Sequence, residues 1–157
     1  MRKIEKEVIG AFIKGDTKAI ANIESAVNPT TRDLDLLLHG NRIATMSNRD
    51  GVKKLWVSCG GYEKDGVPVP SRTTQSRLNA LFSLLDMPER VYTKNHVQYL
   101  DSSRYGTVNL MALRKSAVLV YQWESRFASS WRDRLHKLLD AAGDYSEYLP
   151  RSKQTIH

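Results

Sequence analysis

Cysteine is almost absent from the chain: Cys59 stands alone, so no internal disulfide can form and a reducing compartment is expected. Long apolar runs are missing as well. No stretch approaches the roughly 20 residues that a bilayer-spanning helix needs, which argues against membrane insertion. The opening residues, MRKIEKEVIGAFIKG, begin with charge as a secretory leader does, but Glu5 and Glu7 interrupt them and no apolar core with a small-residue cleavage site follows. A protein retained inside the cell that makes it is the expectation. The histidines, His39, His96, His136 and His157, lack the close pairing of zinc ligands, so neither a metal nor another cofactor is expected. Gly60-Gly61 belongs to no phosphate-loop or dinucleotide pattern, which leaves nucleotide hydrolysis without support.

What is present is a chain of 157 residues, 41% hydrophobic, with a mean hydropathy of -0.46. That length suits one domain able to bury a core without a metal or disulfide staple. Lys and Arg number 24 against 17 Asp and Glu, giving a formal charge of +7 and a pI near 9.6. The excess is uneven: 13 basic against 11 acidic residues in 1–89, and 11 against 6 in 90–157. A face for a polyanion belongs in the second half.

Ile4, Val8, Ile9, Ala11 and Phe12 recur at helical spacing, and Gly15 stands where a helix stops, so a helix is expected over 3–14. Leu34, Leu36 and Leu38 lead into His39-Gly40-Asn41-Arg42, and Ile43, Thr45 and Met46 lead back, the pattern of a hairpin. Ser47 to Gly51 marks a second turn, and Leu55, Trp56 and Val57 a third strand. The Gly- and Pro-rich residues 60–72 form a loop. Thr73 or Thr74 can cap a helix over 74–86 with Leu78, Leu81, Phe82 and Leu85 on one face. Arg90 to Tyr92 and Val97 to Leu100 flank a turn at Lys94-Asn95-His96, a second hairpin. Between Arg104 and Trp123 the pattern fits strand first and helix after. Trp123, Phe127, Trp131, Leu135, Leu138 and Ala142 then fall on one helical stripe, closed by Gly143.

Three motifs in order, HGNRIA, SCGGY and TTQSRLNAL, resemble a family of small bacteriophage proteins that share an HGN-x-IA turn, a strand ending in Gly plus an aromatic, and a TT-x-x-RLNAL helix start. The resemblance implies a phage origin and a fold sketch, with a short strand at about 20–27, and no reaction. It fades after Tyr99-Leu100. The expected architecture is α+β: an N-terminal helix, a mostly antiparallel sheet with a packed helix, and a long C-terminal helix. Residues 1–143 form a single domain, family-like over 1–101 and elaborated over 102–143, with a flexible tail at 144–157.

No catalytic constellation emerges, and no enzyme is expected. Cys59 with His39 or His96 as base would need a lowered thiol pKa and a geometry that sequence does not carry, whereas Cys59 at the end of an apolar strand reads as a buried small residue. His39 reads as a residue that shapes its turn, and Asp33, Asp35 and Asp50 as capping or solvated acids. The start of the 74–86 helix offers unpaired N–H groups to an anion, with Arg72, Thr73, Thr74 and Arg77 as candidate phosphate contacts. Farther on, Lys94, Arg104, Arg114, Lys115, Arg126, Arg134 and Lys137 are interleaved with Tyr92, Tyr105, Tyr121 and Trp123, a mixture of phosphate neutralisers and base-stacking rings. These residues support a noncatalytic phage accessory protein that binds nucleic acid, DNA in the first instance, in the host cytoplasm. The alternative is an interaction protein that modulates a host or phage polymerase, nuclease or defence factor, for which an apolar patch around Trp123 and Trp131 would be the mark. Oligomeric state is not encoded in any of these features.

Overall fold

The computed structural model describes residues 3–124. Helix α1 (Lys3–Lys14) is followed by β1 (Lys18–Ile20), β2 (Ile23–Val27), β3 (Leu34–Leu38), β4 (Asn41–Arg49) and β5 (Val52–Val57). A miniature hairpin, β6 (Glu63–Lys64) and β7 (Val67–Pro68), precedes helix α2 (Arg72–Leu84). Then come β8 (Arg90–Lys94), β9 (Val97–Ser102), β10 (Gly106–Asn109), a single 3-10 turn at Met111–Leu113, and β11 (Val118–Glu124). The larger sheet has the order β1-β2-β3-β4-β5-β11 and the smaller one β10-β9-β8. By contacts the chain divides into two units. The first comprises Met1–Ser47 and Lys54–Tyr121, the second Asn48–Lys53 and Gln122–His157. Of the second unit only Asn48–Lys53, with the buried Val52, and 122–124 are described.

Four hairpins turn on pairs of residues that both have positive φ: His39-Gly40, Asp50-Gly51, Asp65-Gly66 and Asn95-His96. Two such residues make the primed turn whose twist matches that of the flanking strands, and Asn, Asp and Gly reach it at least cost. The β3–β4 hairpin has one irregularity. Leu36 pairs with Ala44 but Leu37 with Arg42, so Ile43 is an extra residue, a β-bulge. Bulges bend a strand and re-aim its side chains. Here Ile43 is fully buried while Arg42 stands exposed.

The core of the first unit joins Val8, Ile9 and Phe12 of α1, Leu36 and Leu38 of β3, and Leu78, Leu81 and Phe82 of α2, all fully buried. α1 ends as its sequence dictates: Gly15 has a φ of 87°, and the Asp16 N–H donates to the Ala11 carbonyl at 2.8 Å. Two buried polar contacts tie elements together. The Arg77 guanidinium on α2 pairs with the Glu5 carboxylate on α1 at 2.5 Å. Asp35 is buried within β3, where one oxygen accepts from the Thr45 hydroxyl at 2.7 Å and the other from Asn28 Nδ2 at 3.0 Å. Asp35 is thus a satisfied interior acid rather than a solvated one.

The architecture corrects the α+β expectation with its long C-terminal helix. Among the described residues the chain is mostly antiparallel β, with only two short helices. Val118–Glu124 is a strand beside β5, so Trp123, the first residue of the expected helical stripe, lies in β structure. The sequence VLVYQWE explains this: β-branched and aromatic residues suit a pleated, half-buried surface, and Val118, Leu119 and Val120 are buried. The rest of the expected helix and the 144–157 tail lie outside the described residues. The expected strand at 20–27 is two strands, since Ala21 takes a φ of 55° and Ile20 folds back to pair with Ile23. Among the described residues no helix is long and apolar enough to cross a membrane.

Candidate functional site

Arg42, Gly61, Glu63, Arg114, Lys115 and Ser116 line an open cleft of about 530 Å³. Three cations and one carboxylate converge there from separate stretches of chain. The bulge at Ile43 sets Arg42 outward, and its Nη2 donates to the Lys115 carbonyl at 3.4 Å. Arg114 Nη1 donates to Glu63 Oε1 at 3.0 Å, with both side chains about half exposed. An ion pair so open to solvent contributes at most about 1 kcal/mol. Glu63 therefore orients Arg114 without holding it against a competing anion.

The walls of the cleft follow from SCGGY. Cys59 is buried, and its thiol donates to the carbonyls of Arg114 at 3.2 Å and Leu110 at 3.5 Å, mooring residues 110–114 to the end of β5. Gly60 and Gly61 have φ of 86° and 70°. A Cβ on Gly60 would stand 2.6 Å from the Tyr62 ring, and one on Gly61 2.5 Å from Cγ of Lys115. Tyr62 can thus fold back and donate to the Leu38 carbonyl at 2.9 Å, and the Lys115 stem can lie across the backbone. Gly60→Ala is expected to destabilise the fold by about 2 kcal/mol through strain and the displaced ring. A thermal melt unchanged from wild type would contradict that account.

Arg114 itself has φ 57° and ψ -115°. Non-glycine residues rarely adopt this conformation, which costs of order 1–3 kcal/mol and concentrates at ligand clamps and active sites. The surrounding bonds enforce it: Arg114 N–H to the Met111 carbonyl, the Cys59 thiol to the Arg114 carbonyl, and Ser116 N–H to the Leu113 carbonyl.

Of the candidate residues, only the sequence neighbours Arg114 and Lys115 are among the described residues that line the cleft, where the fold brings Arg42 to them. Arg72 is exposed at the first turn of α2, and Thr73 is half-buried. The helix cap is Ser71, not either threonine: its Oγ accepts from the Thr74 N–H at 3.1 Å, and Thr74 is fully buried. Arg77 is turned inward to Glu5. Asn79 of the same motif donates to the Val91 carbonyl at 2.9 Å and accepts from its N–H at 2.7 Å, tying α2 to β8. Lys94 is exposed at the end of β8, and Arg104 is half-buried in the β9–β10 turn. Arg126, Arg134 and Lys137 lie outside the described residues. Arg42 escaped the sequence reading of sites, because 72 residues separate it from Arg114 and only the bulge brings it to the cleft.

No curated protein and no solved structure matches the chain. A family model described as Kyanoviridae Gp96 protein matches residues 1–119, which include every residue lining the cleft and all three sequence motifs. The chain belongs to this phage protein family.

Proposed function

We propose that this phage protein is a noncatalytic accessory factor that binds nucleic acid, DNA in the first instance, and that the cleft holds a backbone phosphate. The observation that carries the reading is the convergence of Arg42, Arg114 and Lys115 on one open cleft, where Glu63 is the one acid among the described residues that line it. A guanidinium has five N–H donors, so both arginines retain donors for phosphate oxygens after the bonds they make within the protein. Glu63 is the natural competitor that an incoming phosphate displaces from Arg114, since the doubly oxygenated anion offers the same fork geometry. The strained backbone at Arg114 supports a role in binding, because such conformations concentrate at ligand clamps and this one sets the side chain at the cleft. Arg77 takes no part in this reading.

Binding of labelled single- and double-stranded DNA and RNA across a salt series tests it. Three phosphate contacts predict a slope of log Kobs against log salt of about -2 on single strands and nearer -3 on duplex. Absence of binding at low salt overturns the proposal and directs the search to a protein partner in a host lysate.

A further inference from the structure

The smaller sheet carries a second feature suited to nucleic acid. Register places Tyr92 of β8 opposite Tyr99 of β9, and Asn109 of β10 on the other side of Tyr99. Lys94 faces Val97 on the same surface. The two tyrosine rings stack with centroids 5.6 Å apart and planes inclined by 29°. Both are only half-buried, while Val91, Gln98 and Leu100 on the opposite surface are buried. The sheet therefore has an inner surface that packs and an outer one that carries the stacked tyrosine pair, with Lys94 at one end and Arg90 opposite Asp101 at the other.

We infer that the outer surface of β8, β9 and β10 is a base-stacking platform, so that the partner is single-stranded nucleic acid. The inference rests on the proposed nucleic-acid reading and narrows it. Every base has a π-face, and stacking on aromatic side chains is the sequence-tolerant way to hold an unpaired strand. Duplex bases already stack on one another and offer only their edges, so the tyrosines have nothing to gain from a duplex. The platform and the cleft are also joined by a short path. Asn109, beside Tyr99, leads in five residues to Arg114, a span of at most about 18 Å even if fully extended. A single strand can thus lay bases on Tyr99 and Tyr92 while a neighbouring phosphate reaches Arg114 and Lys115. Lys94 adds a cation at the far end of the platform.

The test compares the wild-type chain, Tyr92→Leu/Tyr99→Leu and Tyr92→Phe/Tyr99→Phe, each binding a labelled oligothymidylate and a duplex of equal length over one salt series. Wild type should prefer the single strand. The leucine variant should lose about ten- to a hundredfold affinity for it with the salt slope unchanged, and the phenylalanine variant should keep most of it. Equal affinity of wild type for duplex and single strand, or an unchanged affinity of the leucine variant, overturns the platform while a steep salt slope leaves the nucleic-acid reading standing. Failure of wild type to bind either ligand overturns both. If the leucine variant does not fold, the single variants Tyr92→Leu and Tyr99→Leu carry the comparison, each expected to lose about tenfold.

Discussion

Arg77→Met is expected to lower the stability of the fold by about 3–5 kcal/mol, the effect of leaving one member of a buried ion pair without its partner. Glu5 is 5% exposed and Arg77 8%, so neither charge is solvated once the other is removed. The pair joins α1 to α2, whose apolar faces are both in the core, and the loss should therefore appear in global unfolding rather than as local fraying. The double variant Glu5→Leu/Arg77→Met should recover most of the deficit, since replacing both charges by apolar groups removes the desolvation penalty with the attraction. Arg77 Nε is buried without a hydrogen-bond partner, which makes the polar arrangement easier to equal with an apolar one. Urea unfolding of the three proteins measures this, and a single variant within 1 kcal/mol of wild type would show that the pair is solvated.

Reversing the charge of the cleft is expected to have the largest effect on binding. Arg42→Glu/Arg114→Glu/Lys115→Glu replaces three cations with three acids beside Glu63. Charge-assisted contacts contribute on the order of 1 kcal/mol or more each, so affinity for a single strand should fall by about a hundredfold or more at low salt. The salt dependence should flatten at the same time, because the cleft no longer neutralises phosphates and releases the counterions condensed on the strand. All three side chains are exposed, so the melting temperature should change little. That separates the variant from Arg77→Met, which destabilises the fold and leaves the cleft charges in place. Equal affinity of the reversed variant and wild type in one buffer would remove the cleft from the account.

Features that depend on local geometry were legible in the sequence. The 3.6-residue recurrence of Val8, Ile9 and Phe12 places α1, and His39-Gly40, Asp50-Gly51 and Asn95-His96 mark turns because those residue types tolerate positive φ. Features that depend on distant partners were not. The recurrence of Trp123, Phe127 and Trp131 reads as helical, yet Val118–Glu124 pairs into a sheet beside β5, a contact across about 60 residues that no window reveals. Arg77 reads as a surface cation at a helix start until α1 brings Glu5 to it. The cleft is half legible: Arg114 and Lys115 belong to the basic second half, while Arg42 needs the bulge and Gly60-Gly61 needs the view of what a Cβ would strike. Ser71 caps α2 in place of the threonines because the helix begins at Arg72, and the polar residue just before it was part of the Pro-containing loop.

The central claim is that the cleft is the place where nucleic acid meets the protein, and backbone amide chemical-shift mapping during titration of the wild-type chain with a short oligothymidylate at low salt tests it most directly. The account predicts saturable shifts at Gly61, Arg114, Lys115 and Ser116, reversed by added salt. Saturable binding that leaves those four amides unmoved would contradict it.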